Sequence, residues 1–179
     1  VKNMKIFKIK SKRKIIYGII LIIFLSIFFG YPKKKYLKIY DRRSEVVFLS
    51  EEVQEGDMLC LEIEHSFEHI PWFEYYRVTD DYFLLKKIAV AGYGAGIPAE
   101  MDVPTKIENG LVWMEDIDSR FDELKWLTHN VYMKNLTLNK RVIFDFRSLP
   151  NASLVGAVIE EKRGDRKSTR LNSSHLEQS

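Results

Sequence analysis

The chain has a single cysteine, Cys60, among 179 residues. That excludes an intramolecular disulfide and a zinc site built on several thiolates. The residue itself is expected as a small, buried strand side chain. Acidic residues are missing from residues 1–31, where seven Lys and Arg stand alone. No basic stripe with interleaved aromatics occurs elsewhere, which argues against a nucleic-acid interface. No HExxH, Walker A, Rossmann or nucleophile-elbow pattern is present, so no metal and no cofactor is called for. No internal repeat or low-complexity linker divides the chain, and its length suits one modest domain with appendages.

What is present is unevenly placed. The net charge of +3 hides an acidic middle. With residues 1–31 and 165–179 set aside, 18 basic residues face 23 acidic ones, a net of −5. Residues 1–14 read as a basic cytoplasmic N-terminus. Residues 15–31, "IIYGIILIIFLSIFFGY", carry no charge. Seventeen residues in a helix span about 25 Å, enough for a short transmembrane signal-anchor. No small-x-small cleavage site follows, so the anchor is expected to stay uncleaved. The preceding basic cluster orients its N-terminus inward, although "KKK" at 33–35 weakens the bias. The expected location is the cell membrane, with a single span and the remainder, 32–164, extracytoplasmic. Residues 165–175, "DRKSTRLNSSH", match codon by codon the translation of a common sequencing-adapter string. Residues 165–179 are therefore set apart from fold reasoning as an adapter translation artefact.

Between 36 and 160 short alternating segments rich in β-branched and aromatic residues predominate. "YLKIY", "VVFLS", "MLCLEIEHS", "PWFEYYRV", "FLLKKIAVAG", "GLVWME", "WLTHNVYM", "RVIFDFRSL" and "LVGAVIEE" read as strands, with turns at "QEGD" and "TDDY". "EDIDSRFDELKW" suits one short helix, since Ile117, Phe121 and Leu124 share helical spacing. The fold class expected is all-β: an antiparallel sandwich or barrel-like domain after one N-terminal transmembrane helix.

The stretch "LEIEHSFEHIPWFEYYRV", 61–78, is the most informative. A four-residue connection "FEHI" would pair His65 with Trp72, Ile63 with Glu74 and Leu61 with Tyr76. One face is then apolar except for His65 and Glu74, lying diagonally across the pair. Such a pair can be a structural hydrogen bond, a metal site or a general base with its orienter. Glu62, Glu64, Glu68 and His69 form an acidic patch near the turn, best read as solvated. "GYGAGIP", 92–98, supplies either a tight bend or backbone N–H groups for a ligand, through Gly94 and Gly96. His129 falls by alternation on the face of Leu127, Val131 and Met133, as an inward histidine or a neighbour of His65.

These two motifs resemble the bacterial family called domain of unknown function 1850 (DUF1850). The matching residues are His65, Ser66, Glu68, Pro71, Glu74, Tyr76, Gly94, Ala95, Gly96 and Pro98. "THNVYMKNLTL", with His129, is similar to the family's histidine-bearing strand. Ile70 stands where the family usually has Thr. The resemblance covers about 59–160. It implies a small anchored or exported protein whose genes often neighbour TRAP-type solute transporters of the TAXI class. An accessory role in solute uptake follows, with transporter components or their solute as partners, and no known reaction. His65, Ser66, Glu68, Glu74, Gly94, Gly96 and His129 form the candidate ligand-binding set. The alternatives are a small hydrolase using His65 with Glu74, metal-dependent or not, and a structural envelope protein.

Overall fold

A computed structural model describes residues 17, 19–21, 33–92 and 102–163. The chain divides into two compact units. Of the unit formed by 1–33 and 163–179, Tyr17 and residues 19–21 are helical, Lys33 opens a strand and Arg163 ends one. Most of the expected span at 15–31 and all of 165–179 lie outside the described residues. Among the described residues no helix is long and apolar enough to cross a membrane.

The other unit, 34–162, is built of antiparallel strands in two sheets. A hairpin joins β1 (Lys33–Asp41) to β2 (Val47–Val53). Asp41 shapes its turn, its Oδ1 accepting from the backbone N–H of Arg43 at 2.8 Å and of Ser44 at 2.7 Å. These hydrogen bonds hold the Asp41 carboxyl below its usual range, Ser44's first. A meander follows: β3 (Met58–Glu64), β4 (Pro71–Val78) and β5 (Phe83–Val90). Next come β6 (Thr105–Glu108), β7 (Leu111–Met114), β8 (Ser119–Phe121) and β9 (Leu124–Leu127). The chain ends with β10 (Met133–Leu138), β11 (Arg141–Asp145), a 3-10 turn (Phe146–Ser148) and β12 (Leu154–Arg163). The smaller sheet has the order β2-β1-β12-β9. The larger runs β11-β10-β3-β4-β5-β7-β6, with β8 also on β5.

The two sheets enclose one apolar core. Leu37 and Ile39 of β1 and Val155 of β12 are fully buried with Leu59, Phe83 and Leu136 of the larger sheet. Alternation along each strand puts these residues on one face. At one side the edges β2 and β11 meet, through Arg141 to Glu51 at 2.5 Å and Phe48 against Phe144 at 6.2 Å. The rings continue from Phe144 to Phe146 and on to Trp126 of β9.

Three expectations change. The helix over 115–126 is instead a loop and two strands, β8 on β5 and β9 on β12. Asp116 and Asp118 have φ of 55° and 54°, a left-handed backbone that no α-helix accepts. "WLTHNVYM" is split: β9 ends at Leu127 and β10 begins at Met133. The long hairpin keeps its four-residue connection, but the connection sits one residue earlier, at 66–69. His65 N–H donates to Ile70 O at 2.8 Å, and the pairs are Ile63 with Trp72, Leu61 with Glu74 and Leu59 with Tyr76. The cause is His69, whose φ of 55° places it in the left-handed region that histidine enters more readily than most residues. A shift of two positions leaves every side chain on its expected face.

The strand directions define two ends of this unit. The chain enters β1 at the base, beside the turns at 54–57, 79–82 and 139–140. Arg42 N–H donates to Leu154 O at the opposite end, the loop end, where the segments 41–46, 65–70, 109–110, 128–132 and 150–153 lie.

Candidate functional site

At the loop end, backbone and side-chain bonds tie three segments together. Glu64 N–H donates to Tyr132 O at 2.7 Å, joining the hairpin to the 128–132 loop. Thr128, 2% exposed, joins that loop to residues 150–153. Its Oγ1 donates to Pro150 O at 2.7 Å and accepts from Ser153 N–H at 3.0 Å. Asn130 N–H donates to Asn151 Oδ1 at 2.7 Å.

This frame positions three histidines. His65 stacks on Trp72, with ring centroids 6.1 Å apart and 15° between planes. Its Nδ1 accepts from Glu68 N–H at 3.3 Å, so the neutral ring carries its proton on Nε2. His129 stands the same way, its Nδ1 accepting from Val131 N–H at 3.3 Å. Tyr132 lies between His129, at 4.5 Å, and His69, at 6.1 Å. His69 Nδ1 meets Glu64 Oε1 at 3.0 Å, and Lys134 Nζ meets Glu64 Oε2 at 3.0 Å. The hydrogen bond from His69, then that from Lys134, holds the Glu64 carboxyl below its usual range. Beneath His65, Trp72 Nε1 is buried with no hydrogen-bond partner among the described residues.

The expected residues divide three ways. His65, Ser66 and Glu68 share the hairpin connection, and His129 joins their end of the sheet through Tyr132 and His69. His129 is exposed in a loop, not inward on a strand, because β9 stops before it. Glu74 is elsewhere. It lies opposite Leu61 and Ile88 on the core face, and its Oε2 accepts from Tyr76 Oη at 2.6 Å. Burial first, and Glu74's charge second, push the Tyr76 phenol well above its ordinary range. From the His65–Ile70 pair to the Leu61–Glu74 pair is four strand positions, about 13 Å, so the diagonal His65–Glu74 pair is not formed. Gly94 and Gly96 lie outside the described residues. Gly92, φ 150°, leaves β5 beside Ile70, whose Cδ1 stands 3.5 Å from where a Cβ would be.

Cys60 is half-buried on the outer face of the larger sheet, opposite Tyr75 and Thr137. Burial pushes its thiol up, away from reactivity. Among the described residues no group of three His, Cys, Asp or Glu is placed to hold a metal ion. The loop end therefore offers binding groups: imidazole Nε2 atoms, aromatic faces and one carboxylate shared by an imidazole and a lysine ammonium. Tyr132 and Lys134 belong to it without having been singled out; Glu64 was read only as part of a solvated acidic patch, and Trp72 only as the strand partner of His65. Tyr132, three residues after His129 inside "THNVYM", was the available signal.

No curated protein and no solved structure matches the chain. Residues 60–144 match the family model described as Domain of unknown function (DUF1850). That span holds most of β3, all of β4, β5 and β10, and both histidine-bearing loops. Residues 60–144 are thus similar to the DUF1850 family, a domain of unknown function.

Proposed function

We propose that this protein is a membrane-anchored, extracytoplasmic β-domain that serves a TRAP (TAXI-type) solute transport system as a non-enzymatic accessory. It acts by binding through its loop end, around His65, Ser66, Glu68 and His129. The observation that carries the binding role is the convergence of the 65–70 and 128–132 loops, with His69 and Tyr132 in ring contact across them. The charge-free run 15–31 behind a basic segment supports the anchor. The family resemblance supports the transport setting. The hydrolase alternative loses its dyad, since Glu74 is engaged by Tyr76 rather than by His65.

The test is a double substitution, His65→Ala with His129→Ala, in cells that depend on the neighbouring transporter. Uptake is expected to fall while the thermal midpoint of the purified protein stays within a few degrees. Unchanged uptake with a folded variant overturns the binding role. Unfolding of the variant would assign the histidines to structure.

A further inference from the structure

Two hairpins of the larger sheet, β10–β11 and β6–β7, turn on an asparagine followed by a second left-handed residue. In the first the pair is Asn139–Lys140, with φ of 49° and 71°. In the second it is Asn109–Gly110, with φ of 54° and 76°. The two asparagines are held differently. Asn139 Oδ1 accepts from Met58 N–H at 3.0 Å, and its Nδ2 donates to Asp57 Oδ1 at 2.8 Å. The Asn109 side chain and the Gly110 N–H have no hydrogen bond among the described residues, and both residues are exposed. Gly110 has no side chain to shield its nitrogen, and the space where a Cβ would stand is empty to 4 Å. The hairpin is also the one most ready to open. β6 is an edge strand, paired to β7 over four residues that are all exposed.

Asparagine is a chemically labile residue, and these features choose between the two. We propose that Asn109 is a self-modification site, deamidated by its own backbone. Opening of the hairpin lets Asn109 leave its turn conformation, and the Gly110 nitrogen attacks the Asn109 side-chain carbonyl carbon. The new N–C bond closes a succinimide ring. The side-chain nitrogen leaves as ammonia, carrying in net the proton lost from the Gly110 nitrogen. Water then adds to either ring carbonyl. Opening on one side gives aspartate, and on the other isoaspartate, whose main chain runs through the former side chain. Aspartate keeps the turn, since Asp116 and Asp118 hold φ of 55° and 54° elsewhere in this chain. Isoaspartate adds a methylene to the main chain of a two-residue turn, which the Glu108–Leu111 pairing cannot absorb. β6 then loosens permanently. Either product adds a negative charge beside Glu108, whose carboxylate meets Lys106 Nζ at 3.4 Å.

The experiment incubates the folded full chain in mildly alkaline buffer and follows acid formation at each asparagine by peptide mapping. Labelling with a methyltransferase specific for isoaspartate separates the two products. Acid is expected at Asn109 at least about tenfold faster than at Asn139, with a rate that rises with hydroxide. Amide exchange at 105–108 should be faster in the isoaspartate fraction than in the parent, and parent-like in Asn109→Asp. A chain unfolded in urea serves as the reference for the chemistry without the fold. Acid at Asn109 there but not in the folded chain means that the turn protects the site, and overturns the proposal. Equal rates at Asn109 and Asn139 in the folded chain overturn it too, since the bonds to Asp57 and Met58 would then decide nothing. An isoaspartate fraction that exchanges like Asn109→Asp refutes the loosening of β6.

Discussion

Single side chains at the loop end carry consequences out of proportion to their size. Thr128 bonds Pro150 O and Ser153 N–H from a buried position, so Thr128→Val keeps the shape and orphans the Ser153 N–H, while Pro150 O keeps only the Ser153 hydroxyl, at 2.8 Å. A loss of about 1–3 kcal/mol is expected, read as a lower denaturant midpoint at unchanged slope, with Thr128→Ser close to the parent. The Glu74–Tyr76 pair makes a similar case inside the core. Tyr76→Phe removes the hydroxyl that donates to a carboxylate on an apolar face, and should cost about 1–3 kcal/mol. Adding Glu74→Leu should recover most of that in the same melts. Glu64 sets a pH dependence. Its lowered pKa means that the folded loop holds this proton less readily than the unfolded chain does. The contact with His69 and Lys134 is thus complete above the ordinary value of 4.5 and is lost as pH falls through the lower folded value. Ring resonances of Tyr132 followed in acid should shift across that window, and Glu64→Gln should abolish the transition.

At the scale of elements, alternation and turn chemistry explain both what was legible and what was not. Long strands such as β1, β3, β4 and β5 repeat apolar residues often enough to be read directly. The faces of the long hairpin were legible too, since they survive a two-residue shift. The pairing was not, because it hangs on one left-handed residue, His69. Short strands of three or four residues, β6, β8 and β9, give too few repeats, and the spacing across 115–126, over β8 and β9, imitated a helix. The β6–β7 hairpin did carry a signal in Asn109 and Gly110, whose φ values of 54° and 76° are those of a tight two-residue turn. In β12, Gly156 is required by its neighbours. A Cβ there would come 2.7 Å from Glu123 Oε1 and 2.9 Å from the Tyr40 ring, which are themselves hydrogen-bonded at 2.7 Å. Gly156→Ala should lower stability by about 1–3 kcal/mol in thermal melts, with partial rescue by Tyr40→Ala.

Across the whole 34–162 unit, the two sheets share one core but not one level of protection. β3, β4 and β5 lie in the middle of the larger sheet, whereas β6 is an edge strand with all four residues exposed. Amide exchange should therefore be slowest at β4 and fastest at β6, and equal rates would contradict the strand order. The candidate site follows the same division. Its residue types were legible in the sequence, since His65, Ser66, Glu68 and His129 do lie at one end. Their company was not, because Tyr132 and His69 meet only once β10 pairs with β3.

The three tryptophans are divided among three neighbourhoods. Trp72 lies under His65, Trp113 on the outer face beside Tyr75 and Lys87, and Trp126 against Phe146. The molecule thereby carries its own optical reporters. With Trp113 and Trp126 replaced by Phe, the fluorescence of Trp72 alone would register any proton, solute or protein that disturbs the imidazole above it, without an added label.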